Sequence, residues 1–159
     1  MNARILPFVF VFIGGVIVGN VATPLIGEHV VMAQTHKPIY ATRLYTGPDN
    51  QTHAEEVELK FTSSGVSTAV SSMLPVSGAE LHRSAAGTFQ DWHRAPRRQY
   101  VITLSGRGEI EVAGGKKIFA GPGHIDLVED TTGKGHISRE LGTEDRVTLQ
   151  LPISDQPGR

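Results

Sequence analysis

Apolar and polar side chains alternate along much of the chain beyond residue 40, with the period of two that marks a strand half-buried on one face. Val57, Leu59 and Phe61 alternate with Glu56, Glu58 and Lys60, which predicts a strand over residues 56–61. Residues 99–104 are rich in β-branched and aromatic side chains, and Ser105, Gly106, Arg107 and Gly108 then turn the chain. Further strands are predicted over 109–112, 117–120, 125–128 and 146–151. The turns between them fall at 113–116 and at Gly121, Pro122 and Gly123. The Ser/Thr-rich stretch 62–72 reads as a strand or a loop. Glycine, serine and proline recur about every 8–12 residues, the rhythm of a β-sandwich or barrel. No helix is predicted beyond Pro38. The pattern predicts an all-β domain over residues 40–152, a single antiparallel jelly-roll barrel.

The N-terminal pattern is different. Arg4 precedes an apolar run, and residues 5–27 carry no charge. One cation ahead of such a run is the layout of a signal peptide, with small-residue cleavage positions at 31–33 or 20–22. The run also approaches the ~20 apolar residues that span a bilayer as a helix. Residues 1–33 are therefore expected to form a cleaved signal or an apolar helical anchor, with the domain periplasmic or secreted. His29 and His36 flank this segment as polar neighbours.

Composition narrows the function classes. A formal net charge of −1 supplies no broad field for nucleic acid, and contact with a membrane is expected through the N-terminal segment alone. The chain has no cysteine, which excludes disulfides, thiolate catalysis and thiolate-bound zinc. It has seven histidines, which matter if some of them converge.

Gly87, His93, Gln99 and Gly106 hold the register of a motif made of a glycine, a His-x-His pair, a glutamate and a second glycine. Ala95 stands where the second histidine would be and Gln99 where the glutamate would be. Thr131, Gly133 and His136 fit a second motif, Pro-x-Gly-x-x-His, with threonine in place of proline. The leading glycine of that motif corresponds to Gly123, displaced by two positions. In these residues, and in the strings 92–100 and 129–136, the chain resembles the cupin superfamily, specifically small single-domain bacterial cupins. The resemblance implies a jelly-roll barrel and an internal site for a divalent transition metal, namely Fe, Mn, Ni, Cu or Zn. His93 and His136 would be its ligands, with the Gln99 carbonyl oxygen as a weak third. His82 or His124 would be a fourth, and the position of His124 points to the rim. Two imidazoles suit several of these metals, although a neutral amide in place of a carboxylate lowers affinity.

Arg97 and Arg98 lie beside these residues in sequence, where one of them can clamp a carboxylate or phosphate, or form a salt bridge to Asp91 or Asp130. Trp92 and Tyr100 are candidates for the pocket wall, and Asp91, Glu129 and Asp130 for acid–base work. A fold of this kind hosts many chemistries. The leading expectation is a metal-dependent dioxygenase or lyase/isomerase acting on a small, carboxylate-bearing or hydroxylated molecule. The alternatives are a non-enzymatic binding module and a structural barrel in an envelope complex. Pairing of exposed strand edges predicts a homodimer.

Overall fold

A computed structural model describes residues 37–154 apart from Val66, so the segment expected to be a signal or anchor lies outside the described residues. Twelve strands follow in chain order: β1 (Ile39–Thr46), β2 (Thr52–Leu59), β3 (Phe61–Ser63), β4 (Ala69–Ser71), β5 (Glu80–Ser84) and β6 (Phe89–His93). The remainder are β7 (Gln99–Ser105), β8 (Arg107–Glu111), β9 (Lys117–Ala120), β10 (Ile125–Val128), β11 (His136–Leu141) and β12 (Arg146–Pro152). Among the described residues, helical structure amounts to one 3-10 turn, Ala113–Gly115, which closes the β8–β9 hairpin. No described helix is long and apolar enough to cross a membrane.

A six-stranded sheet runs β2-β1-β10-β7-β12-β5, and a four-stranded sheet runs β6-β11-β8-β9. The Ser/Thr-rich stretch forms a small separate hairpin of β3 and β4. The strand expected over 56–61 is interrupted at Lys60, so that Phe61 begins β3. Every pairing is antiparallel except that of β1 with β10. That parallel pair corrects the all-antiparallel expectation. The two strands are joined by a long stretch of chain instead of a hairpin, so no tight turn fixes their relative direction.

Side-chain parity sets which face of each strand looks inward. Along β7 the buried positions are Gln99, Val101 and Thr103, while Tyr100 and Ile102 face the other way. Leu44, Val101 and Val128 from the six-stranded sheet meet Ile110 of β8 and Val112 just beyond it, with Ala95 from the β6–β7 loop, in one buried cluster. The two sheets therefore pack face to face over an apolar core.

Chain passage between the sheets falls on glycine. Gly106 separates β7 from β8, which lie in different sheets, so the turn expected here is a crossover and not a hairpin. Its φ is +71°, and a β-carbon there would lie 2.6 Å from the backbone of Asp145 and Arg146. A side chain at this position would carry both the strain of a left-handed conformation and a backbone collision.

Candidate functional site

A cavity of about 280 Å³ lies between the sheets. Leu44, Ala95, Val101, Ile110 and Val128 give it an apolar floor, and His82, Gln90, His93, Gln99, Asp126, His136, Glu140 and Arg146 are among its polar walls. His93 ends β6 and His136 opens β11, and the two residues sit directly opposite each other in the antiparallel register. Their ring centroids are 4.5 Å apart, with the planes tilted by 58°.

Both imidazoles are anchored through Nδ1. His93 Nδ1 lies 2.8 Å from the Asp91 backbone carbonyl. His136 Nδ1 lies 2.6 Å from the Asp130 carboxylate, which also accepts the Thr52 hydroxyl at 3.0 Å. Both partners are acceptors, so Nδ1 carries the proton in each ring and Nε2 is left with its lone pair when the ring is neutral. Asp130 is fully buried and Thr52 is buried beside it, which fixes the orientation of His136 from behind.

The loop 129–135 that carries His136 into place is tied to the β1–β2 hairpin. Glu129 donates its N–H to the Leu44 carbonyl, the Thr46 hydroxyl donates to Thr132 O, and Lys134 donates its N–H to Asn50 O. Gly135, at φ +80°, lies against the His93 backbone so closely that a β-carbon would be 2.0 Å from its carbonyl oxygen. The glycine admits this contact, and the contact brings the two histidines together.

Gln99 is buried and lines the cavity, but its carbonyl oxygen accepts Arg97 Nε–H at 3.1 Å. Arg97 also pairs with Glu80. Arg98 donates from Nε to Glu129 at 3.0 Å, and Arg43 holds the same carboxylate at 2.6 Å. Burial pushes the Glu129 pKa up, but the hydrogen bonds from Arg43 and Arg98 outweigh it and hold the carboxyl below its usual range. Neither arginine is among the residues lining the cavity, and their ion pairs are to Glu80 and Glu129, not to Asp91 or Asp130.

Trp92 and Tyr100 are also absent from the cavity lining. The Trp92 ring lies under Lys134 Nζ, 3.5 Å from its centroid. Tyr100 follows parity to the outer face of β7, and burial pushes its hydroxyl pKa up. Asp91 is exposed and caps the Trp92 N–H. His82 reaches the cavity while pairing with Glu80. His124 lies outside the cavity lining, bonded to Asp126 at 2.9 Å, and that bond raises its pKa.

A metal centre needs more donors than converge here. Among the described residues no group of three or more His, Cys, Asp or Glu side chains is placed to hold an ion. His93 and His136 supply two nitrogens, and a guanidinium on Gln99 opposes a cation at the third position. Among the described residues, the donors present do not complete the coordination of a resident metal.

Several cavity residues carried no signal in the sequence motifs: Asp126, Glu140, Arg146, Gln90 and Ser138. Asp126 shares strand parity with Val128, and an inward-facing carboxylate in a core strand is a readable sign of a polar interior.

No protein-family profile matches the chain, and no curated protein matches it. Solved structures do. An RmlC-like cupin protein from Desulfovibrio desulfuricans is 16% identical, with 71% of this chain and 81% of that one covered at a TM-score of 0.36. The cupin domain of Schizosaccharomyces pombe Cnp3 is 15% identical, with coverages of 75% and 86% and a TM-score of 0.40. Cupins are among its structural matches. A conserved protein of unknown function, SPY1581 from Streptococcus pyogenes, is 15% identical at a TM-score of 0.38, with 50% of this chain and 66% of that one covered.

Proposed function

We propose that the domain is a small cupin that binds a small polar molecule in the cavity between its sheets, with Nε2 of His93 and His136 as the polar contacts at one end. The matched anchoring of the two rings supports this reading. Each Nδ1 is held by an acceptor, so each Nε2 is held ready for a hydrogen-bond donor or for a proton transfer. With imidazoles 4.5 Å apart, one ligand group can meet both.

A second reading, a metal-dependent dioxygenase or lyase/isomerase, draws on the same feature. Metal-ligating histidines commonly donate their outer N–H to a carboxylate or carbonyl. The incomplete donor set favours the metal-free reading. One preparation separates the two. Protein purified without chelators is expected to carry well under one equivalent of transition metal. A bound ligand at a hundredfold excess over its Kd is expected to raise the melting temperature by roughly 5–15 °C in the wild type and not in His93→Ala or His136→Ala. Stoichiometric metal, lost in either variant, would establish the second reading instead.

The apolar run at 5–27 supports export to the periplasm or beyond, or anchorage there, and the mass of the mature chain from its host decides between the forms. The expected homodimer finds its best support on a sheet face, not on an edge. Leu81, Leu149, Ile102 and Ile125 follow one another in register across the outer face of the six-stranded sheet, and Leu81 is 71% exposed. Sedimentation should give a dimer that Leu81→Glu dissociates; a wild-type monomer at high concentration would contradict it.

A further inference from the structure

The cavity has a second end. Glu140 lies four positions beyond His136 on β11, about 13 Å at the rise of a strand. Arg146 of β12 pairs with Glu140, and Asp126 of β10, in the sheet that faces β11, lines the same cavity. Asp126 is 1% exposed, yet its Oδ2 has no hydrogen-bond partner, and Oε2 of the deeply buried Glu140 has none either. Buried carboxylate oxygens without partners are costly, and both belong to residues that line the same cavity.

Each carboxylate at this end already faces a basic side chain. His124 bonds the other Asp126 oxygen at 2.9 Å, and Arg146 Nη1 lies 3.7 Å from Glu140 Oε2. Arg146 commits Nε and Nη2 to the Thr103 hydroxyl, and Gly108 leaves the space that its guanidinium fills. The basic side chains that face both carboxylates compete with an ammonium group for them. This end offers no uncommitted guanidinium to clamp a carboxylate. What it lacks is neutral hydrogen-bond donors.

We propose that the Asp126–Glu140 end is a subsite for the hydroxyl groups of a neutral polyhydroxylated molecule of monosaccharide size. Asp126 Oδ2 and Glu140 Oε2 accept hydroxyl donors there. This deepens the binding function proposed above and rests on it, while replacing the carboxylate-bearing ligand that the neighbouring arginines suggested in the sequence. The small cavity suits one such molecule and not a polymer.

The test is a titration of the full chain with glucose, ribose and myo-inositol, and with glucosamine and glucuronate as charged counterparts, followed by calorimetry and amide chemical shifts. At least one neutral compound is expected to bind and to shift amides over 125–128 and 138–141. Asp126→Asn and Glu140→Gln are each expected to weaken it roughly tenfold or more. The wild-type shift map decides the location even if a variant fails to fold. Binding that is lost in His136→Ala but unchanged in Asp126→Asn and Glu140→Gln would overturn the subsite and leave the cavity reading standing. Preference for glucosamine or glucuronate, or no binding by any neutral compound, would overturn the proposal.

Discussion

Gly135→Ala is expected to destabilise the domain by roughly 3 kcal/mol or more, although it adds one methyl group. Two costs combine. The residue sits at φ +80°, where a β-carbon costs about 1–2 kcal/mol on its own. That carbon would also lie 2.0 Å from the carbonyl oxygen and 2.3 Å from the carbonyl carbon of His93. Both atoms are backbone, so relief requires β6 to move away from β11, which separates the histidines. Gly114→Ala supplies the control. Its φ is +74°, but nothing lies within 4 Å of the added carbon, so the conformational cost stands alone. Urea denaturation of the two variants should differ by about 2 kcal/mol. Equal losses would mean that the close approach of Gly135 to His93 does not exist in solution.

Asp130→Ala should cost roughly 2–5 kcal/mol, because it strands two buried donors at once. The Thr52 hydroxyl and His136 Nδ1 both rely on this carboxylate, and all three residues are buried. Asp130→Asn keeps a carbonyl acceptor in the same shape and is expected to lose less. Thr52→Val removes one donor together with its claim on the carboxylate and should cost about 1 kcal/mol. The thermal and denaturant midpoints of the three variants check the order. If Asp130→Ala proved as mild as Thr52→Val, the carboxylate would not be holding His136.

Much of the fold was readable because alternation survives where one strand face is buried. Residues 99–104, 117–120, 125–128 and 146–151 predict strands that form with nearly those bounds. The strands β5 and β6 gave no such signal. All their residues are exposed or half-exposed, and an edge strand whose inward side chains line a polar cavity needs no apolar face. The His93 and His136 pair was legible through the two motifs, and Gly106 of the first permits the crossover, whereas Gly135, which permits the close approach, stands at a variable position of the second. Parity argued against Tyr100 as a wall residue, because Gln99 beside it points inward. The partners of Arg97 and Arg98 were not legible. Glu80 and Glu129 reach them through sheet pairing that no local spacing encodes. Glu140 shares that reason, an ordinary strand carboxylate until the opposite sheet closes over it, whereas the parity of Asp126 with Val128 was there to be read.

Two imidazoles anchored at Nδ1 line one cavity, which leaves Nε2 of each outside the anchoring bond. Long-range proton–nitrogen NMR of the histidine side chains, at a pH where the rings are neutral, reads this directly. His93 and His136 should both appear as the Nδ1–H tautomer, held by Asp91 O and Asp130, and Asp130→Ala should release His136 but not His93. An Nε2–H tautomer for either ring in the wild type would contradict the account.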